Sequence, residues 1–493
     1  MSDNARIALA KLKSSYLNDV FKMYSSSLFT MVIGLVGSFI TARILGPTYQ
    51  GFSKSVDLIQ SYYPLSSFGV LNGMSRNVAM AHGKKDKEEA SVIIDTTFTS
   101  LFSLPLLVSV VCFLLPIFMQ FDSLTTLAFH ITAVTSFLSL IGNINTRILF
   151  AELRFGVAAK IGVFSSLSGT IVGVLLVYLL NIEGRLWANL LSSAIALSIS
   201  VYFVGHRFRF AINRKQLDSV VRIGLPIMLV GMTYTLLLGI DRWIILLFLS
   251  LADLGYYSIA LTFSQLISGI IGSLSEITYQ RLNRKFGETS NPRDLFSVAT
   301  LPVQLLSLAL PPVISLLILW LPILVHMLLP KFEPGIFAAQ IYIFGTFVYG
   351  LSVNILNTVS RQKVYFTLQL VMIGINFVLG YLLVQHYGIV GVGIATTTSF
   401  CIYSLLLTFV SLRIMEQTFA EIVMFCMKLL LPITYSVAVI FLVSFFAPVV
   451  QQHGKVLMTI VESLISCGAY LPLWKPLSRV LGKFIAEKDG ETI

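Results

Sequence analysis

The chain has 493 residues, of which 56% are hydrophobic and only 12% charged, and it carries a net charge of +11. Soluble domains carry roughly 25% charged residues, so the composition excludes an ordinary soluble domain and implies a polytopic membrane protein. The basic residues are scattered between apolar runs rather than gathered on one face, which argues against nucleic acid as a partner.

In chain order, segment 1–19 is polar and basic, with Arg6, Lys11 and Lys13. No small-residue cleavage site follows a short apolar core, so a removable signal is not expected. A bilayer core of about 30 Å needs roughly 20 apolar residues per helix. On that rule, spans at 20–40, 56–80, 92–119, 124–150, 157–180 and 186–204 build a first six-helix bundle, 20–205. A basic linker, 206–222, leads to spans at 223–249, 255–277, 295–319, 335–359, 364–384 and 389–412, a second bundle within 223–413. Two further spans, 422–446 and 456–473, occupy 414–474, and 475–493 is a basic tail. The expected fold is all-α and polytopic, with about fourteen transmembrane helices: two six-helix bundles around a central cleft and two C-terminal helices.

Of the 34 lysines and arginines, 28 fall on alternate connections together with both termini, and six fall on the others: Arg43, Lys54, Arg185, Arg242, Lys331 and Lys455. Positively charged loops stay in the cytoplasm, so both termini are expected there. Two segments repeat. Pro47 to Ser53 aligns with Leu251 to Tyr257 at an offset of 204, and Ile182 to Asn189 aligns with Ile389 to Thr396 at 207. An even number of helices per repeat gives both halves one orientation. Among the prolines inside spans, Pro226 and the Pro311-Pro312 pair are the expected hinges. Cys112, Cys401, Cys426 and Cys467 lie in apolar runs without metal-ligand spacing and read as packing residues. No metal site or cofactor is expected.

An ionisable group deep in a bilayer costs at least about 2.5–3.5 kcal/mol, so it faces water or a partner. Arg43, Lys54, Asp57, Arg76, Asp95, His130 and Arg147 are such groups in the first bundle, and Asp241, Arg242 and Glu276 in the second. Lys54 and Asp57 are three apart and can pair on one helical face. Asp241 and Arg242, being adjacent, are expected on different faces. Arg43 and Arg242 also fit headgroup snorkelling, Arg76 and Arg147 fit anchoring at a basic end, and His130 fits a satisfied core histidine. A cleft lined by several cations selects an anionic headgroup. Asp57, Asp241 and Glu276 are candidate ion carriers. There is no phosphate-cradling glycine loop, no HExxH and no GxSxG, and the loops are too short for an ATPase domain, so a transporter and not an enzyme is expected.

Arg43-Ile44-Leu45-Gly46-Pro47 with Gly51, then Phe68-Gly69, Arg76 and His82-Gly83-Lys84-Lys85-Asp86, resemble the N-terminal hairpin of Wzx-type polysaccharide repeat-unit flippases. The run Tyr387-Gly388-Ile389-Val390-Gly391 before a span is similar to theirs as well. These proteins belong to the multidrug, oligosaccharidyl-lipid and polysaccharide exporter superfamily. The resemblance implies alternating access in a bacterial inner membrane, moving an undecaprenyl-pyrophosphate-linked oligosaccharide repeat unit, such as an O-antigen unit in lipopolysaccharide biosynthesis, to the outer leaflet. It implies a cationic substrate cleft at Arg43, Lys54, Arg76 and Arg242. Membrane lipids, a polysaccharide polymerase and a chain-length regulator are the implied partners. A peptidoglycan-precursor flippase and a cation-coupled multidrug exporter of the same superfamily are the alternatives, as is a membrane scaffold for glycan assembly.

Overall fold

The structure is a computed structural model that describes residues 3–83, 86–152, 154–450, 463, 468 and 470–489. Among these there is no strand. The helices are α1 (Asp3–Gln60), α2 (Val70–Gly83), α3 (Lys87–Leu101), α4 (Leu104–Met119), α5 (Ser123–Ala151), α6 (Phe155–Val204) and α7 (Arg214–Phe248), followed by α8 (Leu251–Thr289), α9 (Phe296–Leu328), α10 (Ile336–Gly350), α11 (Gln362–Ile414), α12 (Phe419–Val450) and α13 (Trp474–Asp489). Eight helical stretches of the described residues are long and apolar enough to cross a membrane. The span expected at 456–473 lies almost wholly outside the described residues.

Three helices are too long for one crossing. The 50-residue α6 and 53-residue α11 would each extend about 75–80 Å if straight. Each instead breaks once, α6 at Asn181 (φ 54°, ψ −127°) and α11 at Gly388 (φ 54°, ψ −134°). These two residues lie 207 apart, the offset of the second repeat. Behind each turn the backbone folds onto itself. A Cβ on Gly184 would stand 1.9 Å from the Leu176 carbonyl oxygen, and one on Gly391 would stand 2.3 Å from that of Leu383. Residues eight apart in a straight helix are separated by about 12 Å, so these contacts exist only because the chain reverses. α1 breaks at Gly46 (φ 71°), and the matching position 204 residues on is Ser250, which caps α8 through a reciprocal pair of hydrogen bonds with Asp253.

The spans expected at 56–80 and 92–119 are each discontinuous. The first is interrupted by a 3-10 turn, Tyr63–Ser67, with Phe68 and Gly69 left-handed; the second breaks at Phe102 and Ser103. Irregular backbone at membrane depth needs internal partners. Here the Ser66 and Ser67 hydroxyls donate to the carbonyls of Tyr63 and Pro64, while the Tyr63 hydroxyl donates 2.8 Å to the Pro105 carbonyl and lies 2.6 Å from Ser109 Oγ. The expected hinges are not breaks. Pro226 lies inside α7 and Pro311-Pro312 inside α9, both continuous helices, whereas the two discontinuous spans break beside Pro64 and Pro105, each in the first turn of the element that follows the break.

The chain divides into two compact units, Met1–Thr235 and Leu236–Ile493, with the boundary inside α7. In the first, α1 packs on α6 and α6 on α5, and an apolar core gathers Met74, Val78, Ile93, Ile144, Ile148 and Val220. The first turns of α7 belong to this unit. A Cβ on Gly73 would stand 1.9 Å from the Val220 carbonyl oxygen, so α2 and α7 touch backbone to backbone through the Gly69-x-x-x-Gly73 pair, a contact that only small residues allow. The linker before α7 is equally fixed. Arg209 N donates to Asp95 Oδ1 (3.1 Å), Ala211 N to Thr99 Oγ1 (3.0 Å) and Asn213 N to Thr96 Oγ1 (3.2 Å), and Phe208 stacks on Phe98. In the second unit α10 packs on α11, α8 and α9, around a core of Leu237, Leu356, Met372, Tyr403 and Leu407.

Candidate functional site

The expected cations fall in separate places. Arg43, Lys54 and Arg76 belong to the first unit and Arg242 to the second. Lys54 lies two turns beyond the Gly46 break, and its Nζ is 3.4 Å from Asp57 Oδ2, so the i,i+3 pair forms as the spacing predicts; the two side chains are 18% and 30% exposed. Beside it, Ser53 is buried and its hydroxyl accepts a hydrogen bond of 3.2 Å from Arg185 Nε. Arg185 stands one turn past Asn181. The reversal of α6 therefore carries a second cation to the residue adjacent to Lys54. Two cations and one carboxylate leave the cluster net positive, on a base of Phe52, Val56, Ala128, Ile131 and Leu186.

Arg185 was expected among the loop cations. The signal for it was its place inside the repeated turn segment. Arg43 is exposed on α1, and among the described residues no carboxylate pairs with it. Arg76 is exposed on α2. Its neighbour Ser75 accepts a 3.1 Å hydrogen bond from Arg147 Nη1, so Arg147 turns into the unit while Arg76 turns out. His130 stacks on Phe113, with ring centroids 4.2 Å apart, and its Nε2 takes no hydrogen bond from the described residues.

In the second unit Asp241 is almost fully buried, at 1% exposure, and Arg242 is 22% exposed. The two neighbours stand at adjacent positions of α7, yet Arg242 Nε lies 3.7 Å from Asp241 Oδ1 and its Nη2 donates 2.8 Å to the Leu238 carbonyl. The arginine stem is long enough to curl back over the 100° between adjacent helical positions. The phenol groups of Tyr257 on α8 and Tyr342 on α10 face Asp241 as well. Tyr257 is fully buried and packs edge-on against Tyr342. Thr396 on α11 lies against Tyr257 and reaches Asn376 Oδ1 at 3.5 Å; Asn376 is buried, and its Nδ2 has no partner among the described residues. Amide and hydroxyl residues at mid-span were the available signal for this cluster. Glu276 lies on α8, with its side chain outside those described. Among the described residues no group of three histidine, cysteine or carboxylate side chains could hold a metal ion.

The all-helical fold is similar to those of solved transporters. The lipid II flippase MurJ in an inward closed conformation aligns over 93% of this chain and 99% of its own, with a TM-score of 0.69 at 15% identity. An inward-facing multidrug resistance MATE family transporter of the MOP superfamily aligns over 80% and 96%, with a TM-score of 0.59 at 16% identity. A MOP superfamily transporter from Pyrococcus furiosus, described by a reverse polarity of its binding pocket, aligns over 81% and 96%, with a TM-score of 0.56 at 16% identity. No curated protein sequence matches the chain. Residues 16–278, more than half of the chain, match the polysaccharide biosynthesis protein family, and the chain belongs to that family.

Proposed function

We propose that the protein is a flippase that moves an undecaprenyl-pyrophosphate-linked oligosaccharide repeat unit from the cytoplasmic to the outer leaflet of the bacterial inner membrane by alternating access, with both termini cytoplasmic. The observation that carries this reading is the net-positive cluster of Lys54 and Arg185 held inside the first unit of a polysaccharide-family chain. A pyrophosphate spreads its charge over several oxygens, which an arginine fork and a lysine point charge satisfy together. A polymerase and a chain-length regulator would take the product. Asp241 is the group we assign to ion coupling. A carboxylate at 1% exposure in an apolar unit is tolerated only with a cation or a proton upon it, so exchanging that ion would shift the balance between two states. Asp57 is committed to Lys54.

The test is lipid-linked glycan in cells that lack the protein. The undecaprenyl-linked repeat unit should accumulate on the cytoplasmic side, and Lys54→Arg should restore export while Lys54→Gln and Arg185→Gln should not. Normal export by both glutamine variants at normal abundance would end the assignment. Accumulation of the peptidoglycan precursor instead would move the substrate to that alternative.

A further inference from the structure

The first unit also carries an apolar groove apart from the Lys54 and Arg185 side chains. It encloses about 450 Å³ and is lined by Ile40 and Ile44 of α1 and by Thr170, Ile171, Val174, Leu175 and Tyr178 of α6. Its wall is aliphatic apart from the threonine and the tyrosine ring, and its volume is that of a small-ligand pocket. From Thr170 to Tyr178 the groove follows α6 for about 12 Å, close to the ~15 Å of one hydrocarbon leaflet. It ends at the membrane surface. Ile44 is two residues from the Gly46 break and Tyr178 three from the Asn181 turn. Tyr178, strongly exposed, and Tyr49 and Trp187, exposed over less than half their surface, mark the interfacial level where such rings sit.

At that end stands Arg43, one turn from Ile40 on the same flank of α1, exposed and without a carboxylate partner among the described residues. Lys54 is held by Asp57 and Arg185 by Ser53, so Arg43 offers the groove a single cation. Glu183, exposed two residues past the turn, pairs with none of the described cations.

We propose that this groove binds one acyl chain of an anionic membrane phospholipid whose phosphodiester sits on Arg43. One cation matches the single charge of a phosphodiester, whereas a pyrophosphate carries more charge than Arg43 alone can satisfy. The site thus gives the α1–α6 face a resident lipid, and it assigns Arg43 to that lipid rather than to the transported head. The inference holds whatever cargo the protein carries.

The experiment is native mass spectrometry of the full-length protein released from micelles containing phosphatidylglycerol or phosphatidylethanolamine, with wild type, Arg43→Gln, Arg43→Lys and Val174→Trp. Wild type should retain one phosphatidylglycerol about tenfold more tightly than phosphatidylethanolamine, the worth of one charge-assisted contact. Arg43→Gln should abolish that preference and Arg43→Lys should keep most of it. Val174→Trp should weaken both lipids alike by filling the groove. Undiminished selectivity in Arg43→Gln, or undiminished retention in a folded Val174→Trp, overturns the site. So does displacement of phosphatidylglycerol by undecaprenyl pyrophosphate at lower concentration with the same dependence on Arg43, because the groove would then belong to the carrier.

Discussion

The two reversing helices predict opposite outcomes for one substitution at different places in the same element. In α6, Gly184→Ala puts a methyl group 1.9 Å from a backbone oxygen, and in α11 Gly391→Ala puts one at 2.3 Å. Ordinary contact begins at 3.4 Å, so each hairpin must open by more than an ångström. The obstacle is a carbonyl in a neighbouring turn and not the tip of a flexible side chain, so relief requires moving helix against helix. Overpacking of this kind costs about 1–3 kcal/mol, against about 0.5–1 kcal/mol gained by replacing glycine with alanine in a helix. The net loss should reach up to about 2.5 kcal/mol at each site. For units of this size that is roughly 2–4 °C of melting temperature per kcal/mol. Gly162→Ala in α6 and Gly374→Ala in α11 meet open space and should be neutral or gain. Thermal melting of the purified variants, followed by thiol-reactive dye or by loss of monodisperse protein, reads the sign directly. If Gly184→Ala and Gly391→Ala melt with Gly162→Ala and Gly374→Ala, the backbone contacts behind the turns do not hold the hairpins.

For the cationic cluster, Asp57→Asn removes the counter-charge on Lys54 and should tighten binding of a pyrophosphate-headed lipid, whereas Lys54→Gln should weaken it by about ten- to a hundredfold; equal losses in both, measured by lipid titration in nanodiscs, would make the pair structural. Asp241→Asn should uncouple flipping in vesicles from imposed ion gradients while leaving the protein folded, and a variant that still follows the gradient refutes Asp241 as the coupling group. For topology, a cysteine at Ser123 should react with an impermeant reagent in intact cells and one at Asp86 should not; the reverse pattern inverts the proposed orientation.

The long apolar runs made the helical class legible, and Gly46, Asn181 and Gly388 fall in the connections where reversals were expected. The breaks inside runs were legible only in part. Pro64 and Pro105 stand at the two breaks, but nothing in the sequence separates them from Pro226 or Pro311-Pro312, which lie in unbroken helices; at Phe102-Ser103 the Ser100 and Ser103 hydroxyls answer nearby carbonyls. Proline alone did not decide where a helix breaks. Its missing N–H is tolerated inside α7 and α9, whereas Asn181 enforces a reversal with no proline at all. At the site, Lys54 and Asp57 were readable because both lie on one helix. Arg185 with Ser53, and Asp241 with Tyr257 and Tyr342, unite residues from different helices, and no spacing rule reports which helices touch.

The repeat is one of backbone and not of chemistry, and packing explains the difference. Reversals at Asn181 and Gly388 use nearly the same torsions, because the close approach of Gly184 and Gly391 to the preceding turn leaves little freedom. Charges do not follow. By the offset of 204, Asp241 corresponds to Gly37, where even a Cβ would stand 2.6 Å from Thr170 Cγ2, so the first unit has no room for a carboxylate at that position. Lys54 corresponds to Ser258, which is 2% exposed, so an ammonium there would be buried against the core of the second unit without the solvent and the carboxylate that Lys54 has. One duplicated scaffold therefore holds a partly exposed lysine–aspartate pair in its first copy and a buried carboxylate beside an arginine in its second.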